Sequence, residues 1–192
     1  MVQVADRTSS GRSAVILPIR LPPELEAVHS AAVGVAALGV PAHVTLLFPW
    51  LEPEAIGSPD IATLRRVVGG EPAFDLVLVA ARAFPRRGDQ PGTTYLVPEP
   101  AEPCIRLTRA IWAAFPDHPP YEGAFEAVVP HLTVADDAAR LEEVARIAEV
   151  ALPAKRWVSE AWLIVEGEGG RWARRARLAL GRSNGRRPRA GR

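Results

Sequence analysis

Two histidines recur in the same short pattern, and they carry the clearest chemical potential of the chain. His43-Val44-Thr45-Leu46 and His131-Leu132-Thr133-Val134 each place a threonine two positions after a histidine within an apolar run. Side chains two positions apart on a β-strand point to the same face. Each run therefore predicts a strand with a His/Thr pair on one face and apolar residues on the other. The same alternation assigns Leu47 to the face of His43.

The chemistry of these residue types is acid–base catalysis on a phosphate ester. A histidine accepts or donates a proton near neutral pH, so His43 and His131 on opposite walls of one cleft can act as general base and general acid. The hydroxyls of Thr45 and Thr133 are neutral donors for the non-bridging oxygens of a phosphodiester. The sequence has no cluster of His, Asp and Glu at metal-ligand spacing, so we predict catalysis without a metal or other cofactor. The pattern leaves open which histidine is the acid.

These motifs resemble those of the two-histidine (2H) phosphoesterase superfamily, and within it the 2′-5′ RNA ligase and RNA 2′,3′-cyclic phosphodiesterase group. Leu47-Phe48-Pro49 after the first motif and Pro130 before the second are also typical, whereas Ala42 stands where many members have proline. The resemblance covers about residues 13–180. It implies an α+β fold of two pseudo-symmetric lobes, with mainly antiparallel sheet, outer helices and a central cleft. It also implies cleavage of 2′,3′-cyclic phosphate ends and, in some members, formation or cleavage of 2′-5′ linkages.

The elements that must position the motifs occur in the same order twice. Each pass is a strand, a helix, the His-x-Thr strand, a second helix and a closing strand. In the first pass the strands are 14–19, 41–48 and 74–84, with one helix from Pro22 and another after Ser58-Pro59-Asp60. In the second pass the strands are 94–97, 130–135 and 157–165, with one helix through Cys104 and another from Asp136. A final strand, 171–180, pairs with 157–165 through a Gly-rich hairpin turn. This repetition predicts two related lobes, whose packing about a pseudo-twofold axis would bring both motifs to one cleft.

The bulk composition sets the expected context of this fold. Residues 1–12 and 182–192 lack apolar periodicity and are expected to be disordered tails, the second one basic, around one bilobal domain at 13–181. The net charge of +1 excludes a global attraction to nucleic acid. The single cysteine, Cys104, excludes an internal disulfide. No long apolar run and no signal-peptide segment occur, so a cytoplasmic monomer without membrane contact is expected.

Aromatic residues near the ends of predicted elements are candidates for substrate contact. Trp50, Tyr95 and Tyr121 would line the cleft and could stack on a nucleotide base, with core packing as the alternative for each. His29 and His118 lie outside the motif, and both are expected at the surface.

Three interpretations of the site follow. The first is a metal-independent RNA 2′,3′-cyclic phosphodiesterase. The second keeps the site and changes the reaction, to a 2′-5′ RNA ligase, a 2′-5′ oligonucleotide phosphodiesterase or a hydrolase of small cyclic nucleotides. The third is a protein that binds a phosphorylated ligand without turnover. Two intact proton-transfer groups favour a catalyst, because a pure binding protein has no need of them.

Overall fold

The computed structural model describes residues 11–89, 91–124 and 127–182. An eight-stranded sheet with neighbouring strands antiparallel forms its centre, in the order β6-β3-β4-β5-β2-β1-β7-β8. The strands are β1 (Ser13–Pro18), β2 (His43–Leu47), β3 (Phe74–Phe84), β4 (Thr93–Glu99), β5 (Leu132–Ala135), β6 (Ala154–Val158), β7 (Glu160–Glu166) and β8 (Trp172–Ala179). The helices are α1 (Pro23–Ala32), α2 (Ser58–Gly69), α3 (Glu102–Ala114) and α4 (Leu141–Ala151).

The sheet has two equivalent halves. One is β2-β1-β7-β8 and the other is β5-β4-β3-β6, and they meet where Val44 of β2 lies opposite Leu132 of β5. The sheet is curled, because the chain after β8 meets the chain before β3 in the other half: the Ala73 main-chain N donates to the Gly181 carbonyl at 3.0 Å, and the Gly181 N donates to the Glu71 carbonyl at 2.8 Å. The predicted α+β fold of two pseudo-symmetric antiparallel halves is confirmed.

All four helices pack on one face of the sheet. α3 lies on β2 and against α2, whereas α1 lies on β5 and against α4. Each His-x-Thr strand is therefore backed by a helix from the other pass of the chain. The stripe predicted on α3 is buried, with Cys104, Leu107 and Ile111 each at most 1% exposed. Burying an aliphatic side chain of this size contributes about 1.5–3 kcal/mol, so these contacts hold the two halves together.

The region predicted as one strand over residues 157–165 is two strands in different halves. β6 ends at Val158 beside β3, and β7 begins at Glu160 beside β1. Even-numbered Ala154 and Val158 are buried before the break, and odd-numbered Ala161 and Leu163 after it. The prediction is wrong because the alternation changes parity at Ser159, where the chain crosses between the halves. Each half consequently contains strands from both passes.

The predicted tails lie mostly outside the described residues, which exclude 1–10 and 183–192. Arg12, which we assigned to the N-terminal tail, is tied to the fold. Its guanidinium Nε donates to Glu166 Oε2 at 2.8 Å. In the described part of the chain, no helix is long and apolar enough to cross a membrane.

Candidate active site

Strands β2 and β5 place both His/Thr pairs on the face of the sheet that points away from the helices. Their apolar residues enter the helix-covered core; these are Val44, Leu46, Leu132 and Val134. The motif side chains are half-buried on the opposite face, here called the cleft face; these are His43, Thr45, His131 and Thr133. A slip of one residue would drive each histidine into the core, so apolar burial fixes the orientation of the polar pairs.

The register of β2 against β5 brings the two pairs together. Because Val44 lies opposite Leu132 in an antiparallel pair, the next positions place His43 opposite Thr133 and Thr45 opposite His131. Facing residues have Cβ atoms about 4.5–5.5 Å apart, and diagonal ones about 7–8 Å apart. The two histidines are therefore diagonal neighbours, each facing the threonine of the other motif.

Both strands carry a β-bulge directly after the threonine. In β2 the extra residue is Leu46, opposite the step Val15/Ile16, and in β5 it is Val134, opposite the step Thr94/Tyr95. A bulge bends the strand and ends its regular alternation. Leu47, which the alternation assigned to the face of His43, accordingly lies in the helix-side core. The same irregularity at the same place in each motif is a second sign of the pseudo-twofold relation.

The imidazole rings are held in the same way in both motifs. Nδ1 of His43 lies 2.7 Å from the Pro41 carbonyl oxygen, and Nδ1 of His131 lies 2.8 Å from that of Val129. A carbonyl oxygen only accepts hydrogen bonds, so this geometry assigns the proton to Nδ1. The neutral rings then have their lone pair on Nε2, which is the atom available for proton transfer.

Aromatic rings enclose His131. Phe84 and Tyr95 stack with centroids 4.3 Å apart, and they meet the His131 ring edge-on at 5.0 Å and 5.6 Å. Tyr95 is only 8% exposed, because Phe84 covers its ring. Tyr95 therefore supports the imidazole by packing, and the prediction that it stacks on a substrate base is wrong.

Tyr121 approaches the other motif. Its hydroxyl is hydrogen-bonded to the Thr45 side chain, and its main-chain N donates to the Phe48 carbonyl at 2.7 Å. Tyr121 and Glu122 both have left-handed backbone, with φ of 51° and 55°, a conformation that costs about 1–3 kcal/mol per non-glycine residue. The turn holds this strain and places the tyrosine beside the hydroxyl of Thr45. Burial raises the pKa of Tyr121, which keeps its hydroxyl protonated.

Two predicted positions are wrong. Trp50 is 5% exposed and packs edge-on against Phe115, with centroids 5.0 Å apart, inside the helix-side core. It is therefore too buried to stack on a base. His29, expected at the surface, is 3% exposed. It shares the buried stripe of α1, since it follows Leu25 by four residues, and that spacing was the signal for its burial.

Burial lowers the pKa values of both motif histidines. Desolvation brings the pKa of His43 to about 4, opposed by its bond to Pro41 and aided by the nearby charges of His29 and His131. Desolvation likewise lowers the pKa of His131, again opposed by its bond to a carbonyl. Both rings are therefore neutral at neutral pH, with Nε2 able to accept a proton.

The walls of the cleft face extend across the neighbouring strands. From Thr45 the cross-strand pairs run through Ile16 to Trp162, and from Thr133 they run through Tyr95 to Arg82. The guanidinium of Arg174 lies 4.6 Å from the Trp162 ring. Trp162 was not among the predicted residues, because its place depends on the pairing of β7 with β1, which are distant in sequence. Within the described residues, no group of three or more His, Cys, Asp or Glu side chains could hold a metal ion.

The fold and the two facing His/Thr pairs are those of a two-histidine phosphoesterase. A sequence model of the 2′-5′ RNA ligase superfamily matches residues 17–170, which include both motifs. The chain therefore belongs to this superfamily, as the motifs indicated. Family membership supports an enzyme of the phosphoesterase or RNA-ligase type.

Solved structures share the fold at low sequence identity. TT0787 of Thermus thermophilus is 21% identical, with a TM-score of 0.61 over 90% of this chain and 100% of that one. LigT of E. coli, solved in complex with 3′-AMP, is 21% identical, with a TM-score of 0.53 over 88% of this chain and 98% of that one. No curated protein sequence matches the chain.

Proposed function

We propose that this protein is a metal-independent RNA 2′,3′-cyclic phosphodiesterase. The observation that supports it most is the diagonal pair of histidines, each with Nδ1 bound to a carbonyl and each facing the threonine of the other motif. This arrangement leaves two Nε2 atoms and two hydroxyls for one phosphate. We also propose that it acts as a monomer, since one chain supplies the whole site. Its proposed location is the cytoplasm.

The proposed reaction needs one neutral and one protonated imidazole. Nε2 of the neutral histidine takes a proton from water as the water oxygen attacks phosphorus. The bond from phosphorus to the 2′ or 3′ oxygen breaks, and Nε2–H of the other histidine protonates that oxygen. Thr45 and Thr133 donate to the non-bridging oxygens, where charge develops. The product is a phosphomonoester, and solvent exchange restores the two protonation states.

The walls of the cleft favour a polyanionic nucleic acid over a lone nucleotide. Arg82 and Arg174 are exposed beside the site, and arginine side chains bind phosphates along a strand. Trp162 is partly exposed under Arg174, and an indole there can stack on an unpaired base. Tyr121 remains a proposed substrate contact, since it already touches Thr45. The nucleotide bound to the E. coli relative is consistent with this substrate class.

The test is product analysis with an RNA oligonucleotide that ends in a 2′,3′-cyclic phosphate, with EDTA present throughout. We expect a 2′- or 3′-phosphate product and no reaction with the double variant His43→Ala/His131→Ala. A 2′-5′-linked dinucleotide is the parallel substrate. Cleavage or joining of 2′-5′ linkages without turnover of the cyclic end would contradict the proposal in favour of the ligase or oligonucleotide phosphodiesterase. Binding without turnover of either substrate would identify a non-catalytic protein.

A further inference from the structure

A cavity of about 220 Å³ lies behind the segment that orients His43. Pro41, whose carbonyl accepts the hydrogen bond from His43 Nδ1 at 2.7 Å, forms part of its wall. The other lining residues are Glu26, His29 and Ser30 of α1, with Ala36, Gly39 and Val40. The support of the first catalytic ring therefore borders a cavity with polar groups on its far side.

The segment before Pro41 is fixed on its other side by β8. Gly39 has φ +98°, and a Cβ there would lie 2.9 Å from the Trp172 carbonyl oxygen. The Trp172 main-chain N donates to the Leu38 carbonyl at 2.7 Å. The chain from Leu38 to Pro41 is thus fixed by β8 on one side and faces α1 across the cavity on the other.

His29 is the buried polar side chain in the cavity wall. It is 3% exposed, and its Nδ1 has no hydrogen-bond partner among the described residues. The nearest carboxylate oxygen, Glu26 Oε1, lies 4.0 Å away, which is too far for a hydrogen bond. An unpaired buried polar atom is destabilising, so the Nδ1 atom of His29 favours a hydrogen-bond partner. The cavity is large enough for water to bridge the two side chains.

The other half of the molecule has no equivalent titratable group among the described residues. Ile16 and Tyr95 occupy equivalent positions, each opposite the threonine of its motif. The first residues of α1 and α3, Pro23 and Glu102, follow them at the same interval. Counting on from these helix starts, Thr108 takes the place of His29. Thr108 is also buried, but it carries no charge at any relevant pH.

We propose that His29 is a positioning residue for His43: it borders the Pro41 segment that orients the His43 ring, and a proton on His29 opposes a proton on His43. This inference rests on the proposed function. It gives one half of the site a second titratable group, His29, that the described part of the other half lacks.

The charges around the two rings support this coupling. Burial lowers the pKa of His29, but Glu26 and Asp136 face it and act in the opposite direction. His43 faces two histidines, His29 and His131, and both lower its pKa. A proton on His29 is thus partly neutralised by carboxylates, whereas a second proton on His43 meets only like charge.

The test is an NMR titration of the histidine imidazoles in the wild type and in His29→Asn, with Thr108→Val as the matched control. Loss of His29 should raise the titration midpoint of His43 by about 0.5–1 pH unit, and the titration midpoint of His131 should not change. In the wild type, the His43 signals should show a small step at the midpoint of His29. An unchanged His43 midpoint in folded His29→Asn, or the absence of that step in the wild type, would overturn the inference.

A pH–rate profile on a 2′,3′-cyclic nucleotide separates this inference from the proposed function. In His29→Asn, kcat/KM should fall more at pH 5 than at pH 7.5 relative to wild type, while Thr108→Val falls equally at both. If the wild type is active and the pH–rate profile of His29→Asn is the same as that of the wild type, this inference is overturned and the proposed function stands. An inactive wild type would overturn the proposed function, and the NMR shift of His43 would still support the coupling.

Discussion

The half of the site around His43 and the half around His131 share a backbone and differ in their surroundings. In each, Nδ1 donates to the carbonyl two residues earlier, and a bulge follows the threonine. Around His131 lie two uncharged aromatic rings. On the side of His43 lie a buried histidine and a strained turn, whose Tyr121 is hydrogen-bonded to Thr45. In the proposed reaction, the repeated part therefore sets which nitrogen transfers the proton, and the part that differs sets how readily it does so.

This division matters because the proposed hydrolysis needs the two rings in opposite protonation states. Identical surroundings would give both rings the same pKa, and neither role would be preferred. We infer that His29 on α1 breaks this equality, because a proton on His29 opposes a proton on His43. Variants of each half should therefore have equal effects where the backbone geometry matters and unequal effects where the surroundings matter.

The largest and most symmetric effect is expected from the histidines themselves. His43→Ala and His131→Ala should each lower kcat/KM on a 2′,3′-cyclic nucleotide by about 10²–10⁴, since each removes a proton-transfer group. The double variant should be little worse than either single one, because the two act as a unit. His118→Ala is the control outside the motif. Near-normal activity in either folded variant would remove that residue from the mechanism.

A smaller effect is expected from the threonines, and here the halves should separate. Thr45→Ala and Thr133→Ala should each lower kcat/KM by about 10²–10³ at most, as loss of one donor to a developing charge does. The effects of Tyr121→Phe and Thr45→Ala on kcat/KM should be non-additive, because the two hydroxyls are hydrogen-bonded to each other. The effects of Tyr121→Phe and Thr133→Ala should be additive. Equal coupling of Tyr121 to both threonines would contradict the placement of the tyrosine on one half.

The pH dependence of kcat/KM should be bell-shaped, with its optimum on the acid side of pH 7. Activity falls at low pH when the general base is protonated, and it falls at higher pH when the general acid loses its proton. Burial lowers the pKa of both histidines below the usual 6.5, so both limbs move to lower pH. EDTA should leave the profile unchanged. An optimum above about pH 7.5, or activity restored only by a divalent ion, would count against this mechanism.

The smallest expected effect is on stability. Unfolded histidines bind protons near pH 6.5, whereas folded His43 stays neutral down to about pH 4. The unfolded state therefore binds more protons between these values, and the free energy of unfolding should decrease as the pH falls from 6.5 to 4. Urea titrations at several pH values should show that His43→Gln weakens this dependence more than His118→Gln does. Equal slopes in the two variants would mean that the pKa of His43 is not depressed.

Local patterns in the sequence were sufficient for most of the elements. The strand predicted at 74–84 has those bounds in the structure, and the helix predicted after Ser58-Pro59-Asp60 is α2 (Ser58–Gly69). Here the Asp60 carboxylate accepts a hydrogen bond from the Gly57 main-chain N at 2.9 Å, a start signal that is visible in the sequence. Alternation likewise predicted which face of each motif strand is polar.

The errors arose where distant parts of the chain decide the outcome. The crossing at Ser159 and the place of Trp162 follow from the pairing of β7 with β1, which short-range periodicity does not encode. The bulge in β2 places Leu47 in the core for the same reason, since the bulge depends on how β2 pairs with the strand opposite. The burial of His29 was readable from the α1 stripe, but its position behind Pro41 required the fold.

The central claim is that both Nε2 atoms contact the same phosphate. A crystal structure with a nucleoside 2′- or 3′-monophosphate tests this claim most directly. We expect Nε2 of His43 and Nε2 of His131 each about 2.6–3.2 Å from a different oxygen of that phosphate, with both Nδ1 atoms still bound to their carbonyls. A phosphate bound outside the His/Thr pairs, or an imidazole turned so that Nδ1 faces it, would contradict the account.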